Sequence, residues 1–89
     1  MIPYGRQEIT EKDIEAVVDV LRSDFLTQGS VVPKFEHKLC EYTGVENAVV
    51  VNSGTSALHI ACLALNLGSG DVLWTSPISF VASANCGLY

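Results

Sequence analysis

The 89-residue chain predicts an α/β fold, a parallel-type sheet with crossover helices. Three observations predict it. Ala48-Val49-Val50-Val51 is a β-branched run of the kind buried on both faces of a parallel sheet. Asn52-Ser53-Gly54-Thr55-Ser56 is a small polar turn, and an apolar helix-forming run follows from Ala57. Val72-Leu73-Trp74-Thr75 is a second strand candidate closed by Ser76-Pro77, and residues 80–89 then place Ala82, Ala84 and Gly87 at helix-compatible spacing.

In order, residues 1–9 lack periodicity and read as an extended arm. Residues 10–47 read as two helices joined by a loop. Thr10-Glu11-Lys12-Asp13 approximates a capping box, and Ile14, Val17, Val18 and Leu21 form one stripe of an amphipathic helix. Leu26-Thr27-Gln28-Gly29 breaks that pattern, with Gly29 available for a positive φ. Pro33 suits the first turn of the second helix, whose ridge is Phe35, Leu39 and Tyr42 and whose stop is Gly44. Residues 48–89 read as strand, helix, strand, helix. The helix after Ser56 is apolar nearly all round and is expected to be buried.

The charge is unevenly spread. Nine of the ten acids and all five bases precede position 47, leaving Asp71 as the only charged residue beyond it. With 48% apolar residues and a mean hydropathy of +0.31, the chain has more apolar surface than so short a chain can hide. That pattern is expected of the N-terminal part of a larger α/β enzyme, with association or poor folding when isolated. A net charge of −5 with no basic patch excludes nucleic acid as a partner. The run at 57–67 is too short to span a bilayer, and the first residues do not resemble a signal peptide. Cys40, Cys62 and Cys86 are odd in number and far apart, without a C-x-x-C pair. Neither a metal site nor a disulfide framework is expected, and reduced thiols in the cytoplasm are the default.

The turn at 52–56 is the chemical centre. A strand–turn–helix junction of small residues points free N–H groups at one spot, backed by the positive end of the helix dipole. Such a junction binds anions, phosphate above all. The plainer alternative is that Ser53 or Thr55 caps a core helix, and caps are commoner than phosphate sites. His59, three residues past Ser56 on an apolar stretch, reads as a buried histidine with no role.

Taken together, Tyr4, Leu26-Thr27-Gln28-Gly29, Phe35-Glu36, Asn52-Ser53-Gly54-Thr55-Ser56-Ala57-Leu58, the loop at 68–71 and Ser76-Pro77-Ile78-Ser79-Phe80-Val81-Ala82 resemble the sugar aminotransferases of the DegT/DnrJ/EryC1/StrS type. The likeness runs along essentially the whole chain, and the pairing of Leu-Thr-Gln-Gly with the segment at 76–85 looks like the pseudaminic acid branch. It implies the N-terminal portion, residues 1–89, of the cofactor-binding large domain of a fold-type I pyridoxal 5′-phosphate enzyme. Gly54, Thr55 and Ser56 match the positions that hold the cofactor phosphate, and Phe80 matches the aromatic that stacks on its ring. Tyr4, Leu26, Thr27, Gln28 and Gly29 match segments near the sugar nucleotide. The implied reaction moves an amino group from glutamate to C4 of a UDP-4-keto-6-deoxy-N-acetylhexosamine, in a homodimer when full length.

Two groups that this chemistry needs lie in no matching motif here: a lysine to hold the cofactor and move the proton, and an acid beside the ring nitrogen. The last lysine is Lys38. No catalytic residue is therefore assigned, and the isolated chain is expected to be inactive. The competing reading is a non-catalytic α/β module that uses the turn to bind a phosphate ligand.

Overall fold

Thr10 starts the first helix, α1 (Glu11–Leu21), from an extended backbone. Its hydroxyl accepts the Asp13 N–H at 3.3 Å, while the Asp13 carboxylate takes the Thr10 N–H at 2.7 Å and the Thr10 hydroxyl at 2.8 Å. The capping box expected from the sequence is thus complete. These hydrogen bonds, the one from the Thr10 backbone first, hold the Asp13 carboxyl below its ordinary value of 3.8. At the other end Ser23 turns the chain by giving its hydroxyl to the Val20 carbonyl at 2.6 Å.

The second helix, α2 (Val31–Thr43), has Pro33 in its first turn and stops at Gly44, left-handed at φ 75°. The Gly44 N–H closes on the Cys40 carbonyl at 2.8 Å. Lys38 meets Glu41 at 2.7 Å on its exposed face. The third helix, α3 (Gly54–Ala64), starts at Ser53. It ends in a left-handed Asn66, φ 54°, with Asn66 N–H on the Leu63 carbonyl and Leu67 N–H on the Cys62 carbonyl, both at 3.0 Å. That pair is a Schellman motif in which asparagine replaces the usual glycine. A short α4 (Ala82–Asn85) and a 3-10 turn (Cys86–Leu88) finish the chain, and both pack against α3.

The computed structural model describes residues 1–89 and divides into two compact units, Met1–Ala48 and Val49–Tyr89. It differs from the sequence reading in three ways. First, residues 48–51 and 72–75 form no strand. A strand exists only through pairing with another, and these two segments do not pair into a sheet in this chain. Val49, Val72 and Trp74 are accordingly exposed, Trp74 by 91%. Second, α3 is not buried, and Leu58, Ile60 and Leu63 face solvent along with Leu65 just past its end. The stripe on α1 is likewise largely open at Ile14, Val17 and Leu21. Third, the left-handed residue of the loop at 26–29 is Gln28, φ 53°, and not Gly29. Gly29 is needed for a different reason: a Cβ there would lie 2.8 Å from the Phe25 carbonyl oxygen.

Only Ala82 and Cys86 are buried, in the second unit. The chain exposes 8381 Å², whereas two separate compact bodies sharing its mass would expose about 6,100 Å². Exposed large apolar side chains along both units contribute to that excess, in keeping with the apolar composition.

Two outcomes follow. The isolated chain should elute from a sizing column as a concentration-dependent mixture and melt broadly; a sharp monomer peak with a cooperative transition would contradict this account. Thr10→Ala should cost α1 about 1 kcal/mol. The carboxylate's share of the box is complete above the ordinary Asp value and is lost as pH falls through the lowered one, because protonation removes the acceptor. Residue-resolved amide shifts of α1 from pH 6 to pH 2 should therefore move in the wild type with an apparent pKa below 3.8, and the Thr10→Ala chain should titrate closer to that value.

Candidate functional site

In the second unit the turn at 52–56 is held by its own side chains. Ser53 is the N-cap, its oxygen accepting the Ser56 N–H at 3.1 Å. The Ser53 hydroxyl then donates to Ser56 Oγ at 3.0 Å, and Ser56 Oγ donates to Asn52 Oδ1 at 2.7 Å. The capping reading is therefore correct for Ser53 and not for Thr55. The sequence placed Asn52 in this turn without giving it a role; the structure makes it the acceptor that holds the Ser56 hydroxyl.

This relay rigidifies the turn and leaves a defined set of donors. The N–H groups of Gly54 and Thr55 point out of the first turn of α3, where no intrahelical carbonyl exists for them. The Thr55 hydroxyl makes no bond within the chain, whereas the Ser56 proton is already committed to Asn52. A Cβ at Gly54 would meet nothing within 4 Å, so the chain's own packing does not demand glycine there. Open space above two free N–H groups and a hydroxyl suits a tetrahedral anion. The residues present fit a cofactor phosphate in donor set and in clearance.

Phe80 lies in the same unit, just before α4, and the residue is 74% exposed. Its carbonyl accepts the Ser83 N–H at 3.0 Å, and Ser79 and Ser83 share a hydroxyl bond at 2.9 Å. This fixes the backbone and leaves the ring face uncovered. A separate cavity of about 440 Å³ lies between the turn at 68–71, Leu73 and Gly87, and it does not include the turn at 52–56.

The first unit holds the other expected residues. A cavity of about 460 Å³ opens between the end of α1 and the start of α2. Leu26, Gln28 and Gly29 line it beside Phe25 and Val20, but Thr27 does not. Tyr4 lies in the arm, fully exposed and outside the cavity. His59 is half-buried, its ring edge-on to Tyr89 at 5.4 Å. No group of three or more His, Cys, Asp or Glu side chains could hold a metal ion, and no helix is long and apolar enough to cross a membrane.

Comparison with known proteins defines the class to which these features belong. Residues 7–89 match the DegT/DnrJ/EryC1/StrS aminotransferase family. The chain belongs to that family of aminotransferases. It is 48% identical over 88 residues, 99% of its length, to the UDP-4-amino-4,6-dideoxy-N-acetyl-beta-L-altrosamine transaminase of Campylobacter jejuni subsp. jejuni serotype O:23/36 (strain 81-176), of which this stretch is 23%. It is 37% identical over 84 residues, 94% of its length, to the UDP-4-amino-4-deoxy-L-arabinose–oxoglutarate aminotransferase of Shewanella sediminis (strain HAW-EB3), covering 22% of that enzyme. The spore coat polysaccharide biosynthesis protein SpsC of Bacillus subtilis (strain 168) is 38% identical over 84 residues, with 94% of this chain and 22% of that protein covered. The chain thus spans under a quarter of the length of these relatives. No solved structure matches it.

The two glycines give a paired outcome. Gly29→Ala should displace the loop around Phe25, seen as large amide shifts at residues 25–30, because the clash is with backbone. Gly54→Ala should instead raise α3 helicity, by about 0.4–1 kcal/mol in stability. Equal disturbance by both would refute the contrast drawn between them.

Proposed function

We propose that these residues form one wall of the active site of a pyridoxal 5′-phosphate-dependent nucleotide-sugar aminotransferase. The observation that carries the reading is the rigid turn with open donors at Gly54 and Thr55, in a chain of this aminotransferase family. Gly54 and Thr55 hold the phosphate through N–H groups and a hydroxyl. Ser56 contributes by turning its hydroxyl from Asn52 to the ligand, or by holding Asn52 in place. Phe80 offers a flat apolar face that orients a ring and keeps water from it. Bound there, pyridoxal phosphate supplies the electron-withdrawing ring through which an amino group moves between carbon skeletons.

Tyr4 and the segment Leu26-Thr27-Gln28-Gly29 serve the sugar nucleotide, with the cavity lined by Leu26, Gln28 and Gly29 as its apolar floor. The substrate class is a UDP-4-keto-6-deoxy-N-acetylhexosamine, as in pseudaminic acid biosynthesis, and glutamate is the amino donor. Support comes from the name of the similar Campylobacter enzyme, a transaminase of a UDP-4-amino-4,6-dideoxy sugar. In the assembled large domain, of fold-type I, residues 48–51 and 72–75 gain partner strands, and the working enzyme is a cytoplasmic homodimer.

Proton transfer is not among the tasks of these 89 residues. Lys12, Lys34 and Lys38 all lie in the first unit, and Lys38 is engaged with Glu41. The second unit, with the phosphate turn, contains no lysine. The chain alone should form no 2-oxoglutarate from glutamate and the keto sugar above a free-cofactor control.

The decisive experiment exchanges the matched 88 residues of the Campylobacter transaminase for this chain. The chimera should bind pyridoxal phosphate and aminate the keto sugar. Thr55→Ala with Ser56→Ala in it should weaken cofactor retention about tenfold or more, since hydrogen bonds to a charged group are worth about 1.5–3 kcal/mol each. A folded chimera that retains cofactor equally with and without the two hydroxyls would overturn the assignment.

A further inference from the structure

Two thiols that the aminotransferase reading leaves without a task stand on elements of the second unit that pack against each other. Cys86, in the 3-10 turn, is buried, and its thiol donates to the Ser83 carbonyl at 3.5 Å. Cys62, on α3, is half-buried and packs on that turn. The His59 and Tyr89 rings meet edge-on at 5.4 Å, and three residues from each along the two packed elements stand Cys62 and Cys86. Cys86 beside it, with partial burial adding to the effect, pushes the Cys62 thiol above its ordinary value of 9.0. Cys40 lies in the first unit, with its thiol on the Glu46 carbonyl at 3.8 Å.

We propose that Cys62 and Cys86 are a reversible dithiol–disulfide pair that, when oxidised, ties α3 to the C-terminal segment. The co-reactant is a small disulfide such as oxidised glutathione. The more accessible Cys62 attacks it as thiolate, forming a mixed disulfide and releasing one glutathione thiol. Cys86 then loses its proton and displaces the second glutathione, so one S–S bond breaks, one forms, and two protein thiols are oxidised. The bond spans residues 62–86 and fastens the helix carrying the phosphate turn to the segment beginning near Phe80. In a unit whose only buried side chains are Ala82 and Cys86, that link replaces cohesion that packing does not provide. This inference does not depend on the catalytic reading.

The chain carries its own control. Cys40 and Cys86 stand 22 and 24 residues from Cys62, so loop-closure entropy favours the two pairings about equally in an unstructured chain. The whole chain is treated with oxidised glutathione, blocked with an alkylating agent, cut after acidic residues and read by mass spectrometry. Cleavage at Glu41, Glu46 and Asp71 puts the three cysteines on separate peptides. Under native conditions the 62–86 link should exceed the 40–62 link about tenfold or more, and in guanidinium the two should be comparable. A native ratio near one, or glutathione left on Cys62 without closure, overturns the proposal.

Discussion

Closure of the helix ends by short-range hydrogen bonds is the constraint on which this structure rests. Where a core is large, capping is a refinement of a few tenths to about 2 kcal/mol on helices that packing would hold anyway. Here the only buried residues are Ala82 and Cys86, so each helix depends on its ends. The Thr10–Asp13 box starts α1, Ser53 starts α3, and left-handed Gly44 and Asn66 stop α2 and α3. The start of α2 is the weak point. Ser30 sits there in helical geometry and makes no side-chain cap, and the cavity beside it is bordered by the loop containing Gln28 and Gly29. The segment proposed to meet the sugar thus passes through a left-handed Gln28 directly into an uncapped helix start.

That same locality explains what could be read from the residues. The capping box, the amphipathic stripe of α1 and the Gly44 stop depend on residues within about four positions of each other, and the structure has them as the sequence reading placed them. Residues 48–51 and 72–75 are different in kind. Their β-branched and aromatic side chains mark segments suited to a sheet, but pairing is a property of two segments, and neither forms a strand here. The fold-type I sheet accordingly rests on family membership rather than on strands in this chain. The Gly29 error has a narrower cause. Glycine in a loop suggests a positive φ or a close approach, and sequence does not distinguish them; the neighbouring Gln28 took the former and Gly29 the latter.

Of the candidate site, the open turn at 52–56 was the most legible part because its geometry is set by the backbone. Small residues at a helix start imply open N–H groups whatever surrounds them. The side-chain detail was not legible: Ser53, Ser56 and Asn52 form a relay, which leaves Thr55 with the only uncommitted hydroxyl of the turn. Thr55 and Ser56 are therefore unequal. Thr55 can approach a ligand at no internal cost, whereas Ser56 must first give up its bond to Asn52. Phe80 and Tyr4 could be named only through the family likeness, since an exposed aromatic has no local signature of what it stacks on.

The character of the donors also weighs between an enzyme wall and a free-standing phosphate module. Residues 49–89 contain no lysine or arginine, and Asp71 is their one formal charge. Any phosphate at the turn is met by two N–H groups, a hydroxyl and a helix dipole, without a cation from this unit. Three such bonds gross roughly 4.5–9 kcal/mol at about 1.5–3 each. Against this stand association costs of about 4 kcal/mol or more. The surplus is at most about 5 kcal/mol, which corresponds to an affinity no tighter than about 0.2 mM and mostly weaker than millimolar. A module dedicated to phosphate would gain by placing a basic side chain at the turn, and this chain spends all five of its bases elsewhere. A cofactor site has no such need, because the phosphate is then only one anchor among several, with ring stacking and covalent attachment contributing the rest. Weak neutral donors in a rigid cradle favour the aminotransferase wall.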